Sequence, residues 1–472
     1  MTAVEHVDVS QNNADVSRDD VDVPRDDVDG SRNDADESRN VGRFASPTFR
    51  TYHHLAGRRV VRVLVGVAFV LVGALVGLAR TRSPGALDSL WAEDGQNFLT
   101  DALNLPWYEA IFTPFNGYFH VVARLCWAFI ALFPVAWAAP LNAVIDAAIT
   151  SALGLAVYGA ARSRLERFPA VVIGVTAALP MGFVPNTLAQ LQFPLVYAGL
   201  WMLLWSRRAN VLTVGLPALA VLNSMLGVLL TVVAFVGFCI YRNREWLWKL
   251  IGLLPGSLLQ LVPLLTGTTR RGLGERPEHD PIALAAMYVR WGVPRSFLGP
   301  AWPAPPYDDV WGHRALIAAG LLIPLALIGM AVWAKAYAAL RPAAVLAGFA
   351  ALAGAVQLGA HGFGEDRYLV LISLPNLAAG VVLAAGAQRS SRTTGCISLR
   401  LPLVVFATLL TVVLAANFRP ASPRDGSPRW AAAVGQARAE CLVRPGLTRV
   451  NVHIATWPVL GWEAVLPCAR LR

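Results

Sequence analysis

Two adjacent carboxylates, Glu93 and Asp94, follow a tryptophan in the segment SLWAEDGQNFLTDALN, residues 89–104. The pair comes shortly after the first long apolar run, so it would lie at one surface of a membrane. A carboxylate there can accept the proton of an attacking hydroxyl group. Arg367 directly precedes a later apolar run, at the depth where a lipid phosphate sits, and its guanidinium can bind phosphate with two parallel donors. Together these residues favour a reaction in which an acid acts as base and an arginine stabilises a departing phosphate.

The composition is that of a membrane protein. The 472 residues are 56% hydrophobic and 15% charged, whereas soluble domains carry about 25% charged residues. Apolar runs of about 17–25 residues recur, which is the length that crosses a hydrocarbon core. The net charge of +10 comes from basic residues that flank these runs, which is typical of membrane topology and not of nucleic-acid binding. The sequence therefore predicts an all-α polytopic membrane protein.

Five basic clusters define the predicted topology. They lie at residues 161–168, 205–210, 241–249, 333–341 and 387–392, and the positive-inside rule places them in the cytoplasm. Eleven spans satisfy this condition, at about 60–80, 140–161, 169–187, 192–206, 211–223, 225–241, 247–266, 315–334, 342–359, 367–386 and 399–417. The segment 119–140 is then an amphipathic helix on the outer face, with Arg124 toward the headgroups. The protein would reside in the plasma membrane, with a cytoplasmic N-terminus and an extracytoplasmic C-terminus.

The two ends of the chain differ from the transmembrane domain, residues 59–417. Residues 1–58 form an acidic tail in which arginine recurs every seven residues, and the tail is too polar to fold. Residues 418–472 predict a small extracytoplasmic α+β segment, with a helix in RWAAAVGQARAEC and a strand in TRVNVHIA. Cys441 and Cys468 are its only cysteines, and a disulfide between them would persist outside the cytoplasm.

Further polar residues collect on the predicted outer face. An interfacial or solvated role is the alternative for each of them, and their convergence on one side favours a binding site. They are Tyr118, His120, Asn186, Gln190, His361 and Asp366.

Three short motifs resemble the C-type integral-membrane glycosyltransferases, the GT-C superfamily. EDGQNFLTDAL resembles the acidic motif of the first outer loop, PFNGYFHVVARL resembles the amphipathic segment after it, and EDRYLVLISLP resembles a late element of many such enzymes. The chain looks most like actinobacterial members. With Asp94 as the leading acid, Phe98 and Ala102 fall on the aromatic and small positions of the family motif.

The resemblance implies transfer of a sugar from a polyprenyl-phosphate donor to an envelope glycan, lipid or protein acceptor among the membrane lipids. Asp94, favoured over Glu93, would be the base, or both acids would hold a divalent metal such as Mg²⁺ or Mn²⁺. Arg367 would contact the donor phosphate. The outer-face residues named above, together with Arg124, would contact substrate.

Two other functions remain open. A transporter or lipid-carrier flippase would need polar residues half-way along facing helices and repeated or broken helices, and the sequence has no clear internal repeat. A non-catalytic scaffold for envelope assembly would leave the carboxylates merely solvated.

Overall fold

The computed structural model describes most of the chain beyond residue 48. The described residues are 49–182, 185–205, 209–266, 278–300, 310–361, 366–393, 401–419, 422, 424–454 and 461–472, and residues 49–59, 310–313, 366, 392 and 393 are described by their backbone alone. Residues 59–472 form one compact unit. Of residues 1–58, the structure describes only the last ten, which begin the first helix. The predicted disordered repeat lies outside the described residues.

Helices make up nearly all of the described chain. The first eight are α1 (Phe49–Leu78), α2 (Thr100–Asn104), α3 (Trp107–Phe112), α4 (Val121–Ile130), α5 (Ala138–Arg162), α6 (Arg167–Ala178), α7 (Gln192–Trp205) and α8 (Val211–Asn223). They are followed by α9 (Val228–Tyr241), α10 (Arg244–Thr266), α11 (Pro281–Met287), α12 (Val293–Leu298), α13 (Val310–Trp333), α14 (Tyr337–His361), α15 (Val370–Thr393), α16 (Leu401–Ala416) and α17 (Trp430–Val443). Two strands, β1 (Arg449–His453) and β2 (Glu463–Pro467), form an antiparallel pair.

Seven helical segments of the described chain are long and apolar enough to cross a membrane, which supports the prediction of a helical membrane protein. They are Val60–Leu78, Val135–Arg162, Leu188–Trp205, Arg244–Thr266, Arg314–Trp333, Tyr337–His361 and Arg367–Ser391. Five further apolar helices have only 10–17 residues, short of the roughly 20 residues that a span needs. Four of these (α6, α8, α9 and α16) coincide with predicted spans. Seven of the eleven predicted spans thus coincide with helices of suitable length and composition, and the total of eleven stays a prediction.

The predicted span at 169–187 is wrong in its extent. Helix α6 ends at Ala178, because the residue before Pro180 disfavours helical backbone. Gly182 and Asn186 then adopt positive φ angles of 73° and 62°. The segment that was expected to finish a span is therefore an irregular connection, which runs into the site described below.

Helices α7 and α15 lie at the centre of the hydrophobic core. Nearly every side chain of α7 is buried, and so are most side chains along the first half of α15. Helix α1, in contrast, exposes a continuous set of valines and leucines. An apolar helix face without a protein partner is typical of contact with lipid, because lipid tails solvate such side chains as well as a core does.

The helix ends fall into two groups. The ends that carry basic clusters meet each other, since the Ser163 hydroxyl donates to the Trp205 carbonyl and Arg389 lies 3.6 Å from Glu166. The opposite ends meet the connection from α1 to α4, residues 79–120, which we call the acidic loop. Gln260 of α10, for example, exchanges hydrogen bonds with the backbone of Phe119.

The C-terminal residues 424–472 pack on the acidic loop, and we call them the cap. The predicted helix and strand are both confirmed, as α17 and β1. The Val465 N–H donates to the Thr100 hydroxyl, and the ring of Trp462 lies 5.5 Å from that of Trp91. Gly95 permits this contact, because a Cβ there would come within 2.6 Å of Ile454.

Cys441 and Cys468 are joined in a disulfide that links α17 to the residue after β2, 27 positions apart. By the chain-entropy account, closing such a loop stabilises the folded cap by about 3–4 kcal/mol. Cys441→Ser with Cys468→Ser should therefore make the cap susceptible to limited proteolysis at temperatures where the wild-type cap resists it. The exposed, unpaired Cys239 provides the control, since Cys239→Ser should behave as wild type. Equal proteolysis rates in all three proteins would show that the disulfide does not stabilise the cap.

Candidate functional site

The two predicted acids point in different directions. A short π-helix, Asp94–Leu99, begins directly after Glu93, and such wide turns occur often at functional sites. Side chains of successive helical residues project about 100° apart. Glu93 and Asp94 therefore have different surroundings. Glu93 lines a cavity, whereas Asp94 is fully buried behind it.

Asp94 is held by two donors on one oxygen. The Trp127 indole N–H and the Ala189 backbone N–H both donate to its Oδ1, each at 3.0 Å. Its Oδ2 has no hydrogen-bond partner among the described residues. Burial raises the pKa of Asp94 to about 7, against the opposing effects of the Trp127 hydrogen bond and the charge of Arg424. Near neutral pH this carboxyl therefore exists in both protonation states.

Glu93 and Arg367 form an ion pair across 274 residues of sequence. The Arg367 Nη1 atom lies 2.8 Å from Glu93 Oε1, and their side chains are 13% and 18% exposed. The guanidinium also lies over the rings of Trp91 and Tyr368, at 5.6 and 5.1 Å. Arg367 belongs to a 3₁₀ turn, Asp366–Leu369, that leads directly into α15. This position matches the prediction of an arginine at the start of a span.

Both side chains open into a cavity of about 160 Å³ between the acidic loop and the neighbouring helix ends. Its walls combine aromatic rings, amides and this one ion pair. The described residues that line it are Glu93, Phe98, Phe115, Asn116, Tyr118, His120, Ala189, Gln190, Gln192, Phe193, Ser224, Met225, Leu226, Val356, Gln357, Ala360, His361, Arg367 and Tyr368. The cavity thus brings together six of the predicted residues: Glu93, Tyr118, His120, Gln190, His361 and Arg367.

A tight turn positions two of the aromatic side chains that line the cavity. Asn116 and Gly117 have φ angles of 52° and 83°, as the two central residues of a type I′ turn require, and Asn-Gly is the preferred pair for it. The backbones of Phe115 and Tyr118 exchange hydrogen bonds across the turn, at 2.9 and 3.2 Å. The rings of Phe115 and Tyr118 both line the cavity as a result.

His120 lies within these aromatic rings and is neutral. Its ring centroid lies 4.4 Å from that of Tyr118 and 5.3 Å from that of Phe98. Burial, with a contribution from the charge of Arg124, lowers the pKa of His120 to about 3. Neither ring nitrogen has a hydrogen-bond partner in the described part of the chain. A neutral imidazole offers one donor and one acceptor.

Three glutamines line the cavity, and their side-chain amides differ in how many hydrogen-bond partners they have. The Gln192 Oε1 atom accepts from Ser224 at 2.8 Å and from Tyr118 at 3.3 Å. The Oε1 atom of Gln190 and both amide atoms of Gln357 lack partners among the described residues. The sequence analysis missed Gln357, although an amide inside the apolar run LAGAVQLGAH was a usable signal.

Among the predicted site residues with described side chains, Arg124 and Asn186 are, like Asp94, absent from the cavity walls. Arg124 is 3% exposed, so the prediction that it faces the headgroups is wrong: α4 turns it inward, where Nη1 lies 2.8 Å from Asp101 Oδ2. Asn186 is also buried, and its amide donates to the Gly77 carbonyl and the Thr81 hydroxyl. Asp366 begins the 3₁₀ turn, but the position of its side chain falls outside the described structure.

A buried arginine that the sequence analysis did not single out joins the cap to this site. All three guanidinium nitrogens of Arg424 donate, and the acceptors are the Ala86, Pro185 and Asn186 carbonyls and both the carbonyl and the hydroxyl oxygen of Ser89. Burial lowers the pKa of Arg424 to about 10, and the charges of Asp94 and Asp146 oppose that shift. Arg424 therefore remains a cation at neutral pH.

The acidic pair does not offer both carboxylates to a single Mg²⁺ or Mn²⁺ ion. Only Glu93 of the two lines the cavity, and Arg367 holds its Oε1 atom. Within the described ranges, no three His, Cys, Asp or Glu side chains come together as a metal site.

No protein-family model matches the chain, and neither a curated protein nor a solved structure is significantly similar to it. The likeness to GT-C enzymes rests on the short sequence motifs alone.

The raised pKa of Asp94 predicts a pH-dependent stability. An acid whose pKa rises from 3.8 to about 7 on folding stabilises the protein fully below about pH 4, and this stabilisation is lost as the pH rises to about 7. Asp94→Asn keeps the Oδ1 acceptor and removes the titration. We expect the melting temperature of the variant to rise relative to wild type from about pH 5 to pH 7.5.

Glu109→Gln is the matched control, because Glu109 lies in the same acidic loop and is exposed. It should show the same pH profile as wild type. A constant difference in melting temperature between Asp94→Asn and wild type would contradict the assignment of a neutral-range pKa to Asp94.

Proposed function

We propose that this protein is a membrane glycosyltransferase of the GT-C type that moves a sugar from a polyprenyl-phosphate donor to an acceptor hydroxyl of an envelope glycan, lipid or protein. The observation that carries the proposal is the Glu93–Arg367 pair, which gives one cavity both a carboxylate and a guanidinium. The apolar helices around the site suit a donor whose lipid chain stays in the membrane.

The reaction needs one base and one phosphate-binding cation. The Glu93 carboxylate takes the proton of the acceptor hydroxyl as its oxygen bonds to the anomeric carbon of the sugar. The bond between that carbon and the phosphate oxygen breaks, and its electron pair leaves with the lipid phosphate. Arg367 stabilises the charge that develops on this phosphate.

The ion pair links donor binding to activation of the base. Glu93 and the donor phosphate both need the Arg367 guanidinium. The Arg367 cation favours the ionised form of Glu93 and so lowers its basicity. When the donor phosphate binds the N–H groups of Arg367 in place of Glu93, the basicity of the Glu93 carboxylate rises. The Oε2 atom of Glu93, which has no partner within the described chain, is the oxygen available to the acceptor.

Asp94 acts in this proposal as a positioning residue. It was predicted to be the base ahead of Glu93, but it is fully buried and is not a lining residue of the cavity. Its Oδ1 atom instead accepts hydrogen bonds from the Ala189 backbone and from the Trp127 indole of α4. Asp94 thereby positions Ala189, which lines the cavity. Loss of Asp94 would therefore act on the shape of the site.

The orientation follows from charge. The described residues of the five basic clusters lie at helix ends away from the acidic loop, and the positive-inside rule assigns such ends to the cytoplasm. The site and the disulfide-bonded cap would then lie on the outer face of the plasma membrane, where disulfides persist. The N-terminus would be cytoplasmic.

Substitutions in the ion pair test the chemistry. We expect Glu93→Gln to lower turnover by about 10²–10⁴-fold, the range of general-base catalysis. Arg367→Lys should keep weak activity, because it retains the charge but loses the planar fork. Arg367→Ala should lose donor affinity and turnover together. The measurement is sugar transfer per milligram of purified, folded protein with polyprenyl-phosphate sugars as donors.

The exposed Arg389, at the opposite helix ends, is the matched control, and Arg389→Ala should retain full activity. Full activity of Arg367→Ala would exclude Arg367 from the site and remove the main support for the transferase. A dead Asp94→Asn beside an active Glu93→Gln would exchange the proposed roles of the two acids.

A topology reporter tests the orientation. Ser390 lies in a basic cluster near the end of α15, so alkaline phosphatase fused after this residue should be inactive and a cytoplasmic reporter active. A phosphatase fused after the last residue, Arg472, should be active. The reverse pattern would place the cap and the cavity in the cytoplasm and contradict the proposed site of transfer.

A further inference from the structure

The cavity is also lined by polar groups that carry no charge. His120, Gln190 and Gln357 are each 2–3% exposed, and each has at least one polar side-chain atom without a partner among the described residues. They come from the end of the acidic loop, from the connection after α6 and from α14. Three separate segments thus bring unsatisfied polar atoms to one cavity.

Unsatisfied buried groups of this kind define the chemistry of what they bind. A buried amide or imidazole without a partner lowers stability, and a ligand with matching groups removes that penalty. Each amide offers two donors and one acceptor site, and the neutral imidazole offers one of each. Hydroxyl groups, which donate and accept at once, match such a mixture. None of these three side chains carries a charge that would balance a carboxylate or a phosphate.

Aromatic rings beside these groups complete the match. Phe98, Phe115 and Tyr118 surround His120, with centroid distances of 5.3, 6.0 and 4.4 Å. A sugar ring has apolar C–H faces that pack on aromatic rings, while its edge carries hydroxyl groups. A site with a few placed polar groups among aromatic side chains is typical for such a ligand.

We propose that His120, Gln190 and Gln357 form the subsite for the sugar of the donor, and that this subsite selects an uncharged, polyhydroxylated ring. The inference rests on the proposed function, because it places the donor phosphate at Arg367 and its sugar against these three residues. The ring would then lie between the base and the amides, with its anomeric carbon toward Glu93.

Binding of two lipids separates the subsite from the phosphate site. The probes are polyprenyl phosphate without a sugar, and polyprenyl phosphate that carries glucose, mannose, a neutral pentose or glucuronic acid. Wild-type protein in detergent should bind at least one neutral-sugar lipid about tenfold or more tightly than the bare lipid phosphate, the effect of a well-placed hydrogen bond. Gln357→Leu and Gln190→Leu should each erase most of this preference and leave the affinity for bare polyprenyl phosphate unchanged. Arg367→Ala should weaken binding of both lipids.

Stability measurements show whether these variants fold. Gln357→Leu removes an amide that has no described partner, so its melting temperature should not fall below that of wild type. Gln260 provides the contrast, since its buried amide bonds Phe119 and Val221 and Gln260→Leu should lower the melting temperature. Gln436→Leu, on the exposed side of α17, should leave both lipid affinities unchanged.

The outcomes distinguish the two proposals. Equal affinity of wild type for bare and sugar-bearing lipids, or an unaltered preference in Gln357→Leu and Gln190→Leu, would overturn the sugar subsite and leave the transferase standing. A preference for the glucuronic acid lipid would overturn the selection of an uncharged ring. Failure of wild type to bind any of these lipids would overturn the proposed function, and the subsite with it.

Discussion

The arrangement of the site depends on one buried cation, the guanidinium of Arg424. Removing a guanidinium from water is costly unless its donors and its charge are satisfied. All three of its nitrogens donate, to the backbone and hydroxyl of Ser89 and to the carbonyls of residues 86, 185 and 186. The negative charges of Asp94 and Asp146 favour the charged form of this guanidinium. The acidic loop, the connection after α6 and the cap therefore cannot be placed independently of one another.

This constraint explains how loops can form a defined cavity. Segments outside regular structure are usually mobile, yet most walls of the cavity come from the acidic loop and from connections between helices. Arg424 fixes the residues just before Glu93 and just before Gln190, the cap covers Trp91 through Trp462, and Asp94 holds Ala189. The resulting cavity is lined both by the Glu93–Arg367 ion pair and by the neutral groups of His120, Gln190 and Gln357.

The sequence revealed the parts that depend on local pattern. Apolar length located the helices, alternation located β1, and the basic residue before an apolar run located Arg367 in the turn that leads into α15. Contacts between segments that are distant in sequence could not be predicted, because no local sequence pattern encodes them. Arg424 looks like an ordinary loop arginine until it meets Ser89, 335 positions earlier. The prediction that Arg124 faces the headgroups was wrong for the same reason. The periodicity of α4 could not show that Asp101 would be its partner inside the protein. Helix α6 ended early because Pro180 and Gly182 override the apolar pattern.

Two buried glutamines show how a binding site can be recognised from the structure itself. Gln260 and Gln357 are the same residue type at similar burial, on helices of similar length. Every polar atom of the Gln260 side chain has a backbone partner, so its amide is explained by the fold. The amide of Gln357 is left without a partner by the described part of the protein, so the fold alone would favour an apolar side chain there. Sequences tend to break such local rules at functional sites. Gln357, Gln190 and His120 all break this rule around one cavity, which an arginine and a carboxylate also line. This is the physical reason to regard the cavity as a candidate binding site.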